Sequence, residues 1–240
     1  MAKLYLDDSY LKECEAIVTK VVDAKFVELD QTIFYSQGGG QPSDSGKIVK
    51  ENGEEARVVF AKAFGENISH QIEPEGILNE GEKVRCVLDW EKRHKHMRMH
   101  TCAHILAGVI NKEIGALITG NQLGEEESRM DFNVPEFDKE LLKTFEQKGN
   151  EIISRGLEIT VSYEAREKAL ARPELFRLKD VLPKDIPMLR IVSIGDFDIQ
   201  ADGGTHVANT REIGKMKITN FKNKGAQNRR IYWTLSENTQ

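Results

Sequence analysis

Through residues 1–89 the apolar positions come in short, β-branched runs. AIVTKVV, KFVELD, GKIVK, ARVVFAKA and KVRCVLDW each have the length of a strand, and Asn52-Gly53 marks a hairpin turn. No good helical stretch interrupts them, so the pattern predicts a small antiparallel barrel or sandwich. The segment SQGGGQPSDSG at 36–46 reads as a flexible insertion. From Trp90 the period changes. Met97, Ile105, Leu106, Val109, Ile110 and Ile114 recur at helical spacing within 92–114, and Gly115 follows as a stop. A second helix is predicted from the N-cap Asp138 to about Arg155, with Leu141, Leu142, Phe145, Ile152 and Ile153 on its buried face. EITVSY reads as a strand, EAREKALA as a short helix closed by Pro173, and MLRIVSI, FDIQ, GKMKITNF and RRIYWTL as a run of strands. The expectation is an α+β protein with a β-barrel-like domain over residues 1–89 and an α+β domain over 90–240. No internal repeat or low-complexity tract is evident.

Composition adds limits. The 240 residues are 39% hydrophobic and 30% charged with mixed signs, which suits an ordinary globular protein with a sizeable core. No apolar run reaches the roughly 18 residues of a membrane span, and the N-terminal stretch lacks the apolar region of a secretory signal. Cys14, Cys86 and Cys102 are odd in number and widely spaced, which fits a reducing compartment, so a cytoplasmic location is expected. The net charge of −5 argues against a dedicated nucleic-acid binder, but the charge is uneven. Residues 92–98 read KRHKHMR, and Lys215 to Arg230 hold six basic residues and no acidic one. Such patches fit a small footprint on a phosphate backbone, and equally a solvated charged face.

The candidate chemistry starts with HTCAH. His100 and His104 are four apart on the first helix, so both rings reach one face and one ion; two ordinary hydrogen-bonded histidines would have the same spacing. No Glu follows His100, which excludes the HExxH peptidase arrangement. Cys102 points to the opposite side of the helix and reads as core. In ADGGTHVANT, Asp202 and His206 flank Gly203-Gly204, a loop whose bend lets carboxylate and imidazole converge. Three histidines with an open or carboxylate-filled fourth position form a hydrolytic zinc pattern. Spacing alone does not join residue 104 to residue 206.

Several segments, in order, resemble the AlaX family, free-standing relatives of the editing domain of alanyl-tRNA synthetase. LDQTIFYSQGGGQPSDSG (29–46) resembles the family's glycine-rich segment, RMHTCAHILAGVI (98–110) its first zinc motif and ADGGTHV (201–207) its second. SRMDF, QKGNEII and GAQNRRIYW are also similar to its pattern. The resemblance covers most of the chain. It implies an N-terminal β-barrel-like domain beside an α+β editing domain shared with threonyl-tRNA synthetase. It also implies trans-editing hydrolysis of the 3′ aminoacyl ester on alanine tRNA carrying serine or glycine, with one Zn2+ per chain held by His100, His104, Asp202 and His206. The family usually has Cys where this chain has Asp202, so Asp202 is expected either to ligate zinc or to orient His206 or a water.

By the same resemblance Thr32 is the reader of a serine hydroxyl, and Gln41 lines its pocket. Gly38, Gly39 and Gly40 are expected to offer backbone amides to substrate oxygens. Arg98, Lys224, Arg229 and Arg230, with Arg93 and Lys95, are candidate tRNA phosphate contacts. Thr32 also reads as a plain strand threonine and GGGQP as a simple turn. Two alternative functions remain open: a non-catalytic tRNA-binding module with a structural zinc, and a zinc hydrolase of small esters or amides. Neither the serine-versus-glycine preference nor the oligomeric state is legible.

Overall fold

The computed structural model describes residues 1–136, 138–178 and 186–236. The chain divides into two compact units, Met1–His96 and Met97–Gln240.

The first unit contains β1 (Ala2–Lys3), β2 (Glu13–Val22), β3 (Phe26–Leu29), β4 (Gln31–Thr32), β5 (Gly46–Lys50), β6 (Glu55–Phe64), β7 (Asn67–Glu73) and β8 (Lys83–Leu88). Six of these close into an antiparallel barrel in the order β2-β3-β7-β6-β5-β8, while β1 pairs in parallel with β4. Closure removes the exposed edges that an open sheet of this size would present. Alternate residues face the interior, among them Val27, Leu29, Ile48, Ala56, Val58, Ile68, Ile72, Val84 and Cys86. The hairpin at Asn52-Gly53 forms as its sequence demands, with Gly53 at φ 87°. β7 escapes the sequence pattern because His70 occupies an inward slot between Ile68 and Ile72.

The second unit contains most of α1 (Trp90–Ile114), then β9 (Ile118–Gln122), β10 (Glu127–Phe132), α2 (Lys139–Ser154), β11 (Ile159–Ala165), α3 (Arg166–Leu170), β12 (Met188–Ile194), β13 (Asp198–Ala201), β14 (Met216–Asn223) and β15 (Arg229–Leu235). Two antiparallel sheets result, β14-β15-β10-β9 and β11-β12-β13. α1 ends at Gly115, whose φ of 69° stops the helix. Its middle is buried on all sides: every residue from Thr101 to Ile110 is buried. Only Ile114 of the expected apolar stripe is exposed, at the last turn. α2 begins as expected, with the Asp138 carboxylate accepting from the Leu141 amide at 2.7 Å. It buries Leu142, Phe145 and Ile153, while Leu141 and Ile152 flank that stripe half-buried. Among the described residues no helix is long and apolar enough to cross a membrane.

Candidate metal centre

His100 and His104 lie one turn apart on the buried stretch of α1. Asp202 and His206 lie in the loop that leaves β13. The four side chains meet, with one ligand atom from each within 4.8 Å of all the others. His206 Nε2 is 3.0 Å from Asp202 Oδ2, and Asp202 Oδ1 is 3.6 Å from His100 Nε2 and 3.9 Å from His104 Nε2. These spacings bracket the roughly 3.3 Å edge of a tetrahedron built on zinc–nitrogen bonds of about 2.0–2.1 Å.

The two glycines of the loop do different work. A Cβ on Gly204 would stand 2.1 Å from His100 Cε1, so only glycine lets the loop pass against that ring. A Cβ on Gly203 would meet nothing within 4 Å. The Gly204 amide donates to Asp202 Oδ2 at 2.6 Å, which fixes the carboxylate within its own turn. Arg190, buried in β12, donates through Nη1 to the carbonyls of Asp202 and Gly204, each at 3.0 Å. The Asp202 amide in turn donates to the Arg190 carbonyl at 3.1 Å. Sequence reading passed over Arg190, although a cation inside the apolar run MLRIVSI is a signal that a buried partner exists.

Burial sets the charges. It pushes the His100 imidazole well below its ordinary value and His206 down to about 4, so both are neutral near pH 7. Burial also works to raise the Asp202 carboxyl, but the neighbouring rings of His100 and His206 hold it well below the usual carboxylate range. The cluster is therefore three imidazoles and one carboxylate, with the Arg190 guanidinium 4.0 Å from Asp202 Oδ2. His104 Nδ1 is buried without a hydrogen-bond partner. This donor set, N3O with the atoms converging, fits a divalent cation of the zinc class. Cys102 lies apart from it as a buried thiol whose proton burial holds firmly.

The residues expected to read the amino acid lie in the first unit and are fully buried. Thr32 Oγ1 is 2.9 Å from His70 Nε2 and accepts from the Phe34 amide at 3.1 Å. Gln41 has no accessible surface. The glycine-rich segment is not a flexible insertion, contrary to expectation. Gly38 and Gln41 exchange two backbone hydrogen bonds, at 3.2 and 2.9 Å, around Gly39 and Gly40 at φ 57° and 86°. Asp44 then anchors the segment by accepting from the Tyr35 amide at 2.6 Å and pairing with Arg93. The Gly38 amide is consequently spent on Gln41 rather than open to a substrate.

The basic stretches also divide. Arg93 is completely buried and donates to Asp44, Ser9 O and Ile33 O, so it is a structural cation and not a phosphate contact. Arg98 caps the Ile213 and Ser236 carbonyls, and Arg230 pairs with Asp131 through two contacts of 2.6 and 2.8 Å. Arg229 donates to Asn223 Oδ1 and to the Gly225 and Pro135 carbonyls. Lys95 remains exposed, as do Lys215, Lys217, Lys222 and Lys224 along β14 and its turn.

Comparison with known sequences finds two family models and several relatives. Residues 189–232 match the family model described as the threonyl and alanyl tRNA synthetase second additional domain, and residues 7–92 match that of class II (A) tRNA synthetases. The chain is 46% identical over 239 residues to the alanyl-tRNA editing protein AlaX-M of Methanosarcina mazei, covering 97% of this chain and 95% of that protein. It is 43% identical to the AlaX-M protein of Saccharolobus solfataricus, covering 97% and 98% respectively. The alanine–tRNA ligase of Pyrococcus abyssi is 37% identical over 220 residues, 90% of this chain but only 24% of the ligase.

Proposed function

Because this chain belongs to the family of alanyl-tRNA editing proteins, we propose that it is a trans-acting deacylase that cleaves the 3′ ester of alanine tRNA mischarged with serine, and also with glycine. It is a hydrolase, not a ligase that charges tRNA. The observation that carries the reading is the enclosed convergence of His100, His104, Asp202 and His206, in a chain that matches the editing proteins from end to end.

In this reading those four residues hold one Zn2+, which when bound supplies Lewis acidity to ester hydrolysis. The protein's own contribution is rigidity and exclusion of bulk water. Gly204 admits the loop against His100, Arg190 holds two carbonyls of that loop, and the buried α1 fixes His100 and His104. Asp202 acts as a ligand in place of a thiolate, a harder donor that zinc accepts. Thr32 discriminates serine from alanine through its hydroxyl oxygen, with Gln41 beside it in that role. A site built to bond a hydroxyl rejects the analogue lacking it because a buried polar group is left unpaired. Lys224 and its exposed neighbours on β14 serve the tRNA backbone.

The test is deacylation of seryl-, glycyl- and alanyl-tRNA(Ala) with and without a chelator. Chelation and His104→Ala are both expected to abolish turnover of seryl-tRNA while the fold persists. Turnover that survives both would overturn the zinc reading, and inactivity toward every aminoacyl-tRNA would overturn the deacylase.

A further inference from the structure

Thr101 sits between the two histidines of α1 and is fully buried. Its hydroxyl oxygen has three partners: the Met97 carbonyl at 2.9 Å, His206 Nδ1 at 3.1 Å and the Val207 amide at 3.3 Å. The Met97 carbonyl can only accept and the Val207 amide can only donate. His206 Nδ1 can do either, according to which ring nitrogen carries the proton. Its other nitrogen, Nε2, faces Asp202 Oδ2 at 3.0 Å.

With the ring neutral, two arrangements match the Thr101 hydroxyl to Met97, Val207 and His206 Nδ1. In one, Nε2–H donates to Asp202, Nδ1 is bare, and the Thr101 hydroxyl turns to donate to Nδ1. In the other, Nδ1–H donates to Thr101, whose own proton goes to the Met97 carbonyl, and the bare Nε2 faces the carboxylate. The second arrangement sets a lone pair against an anion and requires a cation between or beside them. The first requires none. The ring is neutral in both, and the proton only changes nitrogen.

We propose that Thr101 is a positioning residue for His206, whose hydroxyl turns from His206 Nδ1 to the Met97 carbonyl as a divalent cation enters, and so holds the ring in the tautomer that presents Nε2 to the metal. The inference rests on the metal reading of the cluster. It assigns a role to a residue that touches neither metal nor substrate. Val207 N–H, bonded to the same oxygen, keeps the loop in register in both states.

The experiment uses the full chain and Zn2+ as the probe. Zinc affinity is measured by competition with a chromophoric chelator for wild type, Thr101→Val and Thr101→Ser. The tautomer of His206 is read from ring nitrogen chemical shifts with and without zinc. Thr101→Val is expected to bind about 10- to 100-fold more weakly, and Thr101→Ser, which keeps the hydroxyl, to bind within about threefold of wild type. The wild-type ring is expected to carry its proton on Nε2 without zinc and on Nδ1 with it. Because Thr101→Val also strips the Val207 amide of its acceptor, the wild-type tautomer measurement stands independently of how well that variant folds. Equal affinity in all three proteins, or a His206 tautomer unchanged by zinc, would overturn the proposal alone. Absence of zinc binding in the wild type would overturn the metal reading beneath it.

Discussion

Each unit buries a polar cluster, and the two clusters are built on opposite terms. In the barrel unit, Asp44 and Arg93 cancel one another, and Arg93 spends further donors on Ser9 O and Ile33 O. His70 places Nδ1 on the Val27 carbonyl at 3.0 Å and Nε2 on the Thr32 hydroxyl. The Asp44–Arg93 pair is matched donor to acceptor within the protein, and the Thr32 hydroxyl, the proposed reader of serine, is held in place by His70. Around His100, His104, Asp202 and His206, four atoms able to ligate a metal converge, and the buried His104 Nδ1 has no hydrogen-bond partner. A buried polar group costs free energy unless it is matched, and a buried charge more so. The first pattern specifies a fold. The second brings together a donor set that could hold a cation.

Breaking the first cluster should show in stability and not in metal binding. Arg93→Met leaves the Asp44 carboxylate buried and unpaired, and should cost about 3–5 kcal/mol in denaturant unfolding. Zinc affinity of the folded fraction should not change. The second cluster should respond in reverse. Gly204→Ala forces a methyl into the space of the His100 ring and should weaken zinc binding about 10- to 100-fold, whereas Gly203→Ala should leave it unchanged, both read by zinc titration.

Acid separates the clusters further. Burial lowers the His70 pKa from 6.5 to about 4. The unfolded chain therefore takes up a proton that the folded chain refuses as pH falls through this window. His70's contribution is intact above the unfolded value and is lost as pH falls toward the folded one, by roughly 3 kcal/mol in all. Replacing it by His70→Gln should make stability shallower with pH between these limits, in urea titrations at fixed pH. Saturating zinc should not alter the His70 share, because no cation relieves that ring. The smallest effect belongs to the surface: Lys224→Ala should lower tRNA affinity slightly and reduce the slope of log K against log salt by about 1.

Much of this comparison was legible in the chain. Five of the six barrel strands, the hairpin at Asn52-Gly53, the cap at Asp138 and the stop at Gly115 all follow from local chemistry. β7 did not, because a buried histidine breaks the apolar alternation that marks a strand. β9 and β10 escaped for a related reason: Gly120, Arg129 and Asp131 dilute their apolar positions, and pairing with β15 decides their state. The glycine-rich segment looked flexible because its anchor is the salt bridge of Asp44 with a residue 49 positions away. Helical spacing joins His100 to His104, but nothing local joins them to His206. Resemblance supplied that link. Thr101 stayed hidden because it acts through a loop more than a hundred positions off in sequence, and Arg190 because a single cation in an apolar strand does not name the carbonyls it holds.

The central claim is that the cluster of three histidines and Asp202 is a metal site. It is tested most directly by calorimetric titration of Zn2+ into chelator-treated protein, wild type beside His104→Ala. One ion per chain in the wild type, with that uptake lost in the variant, is the predicted result. No uptake by the wild type, or undiminished uptake by His104→Ala, would contradict it.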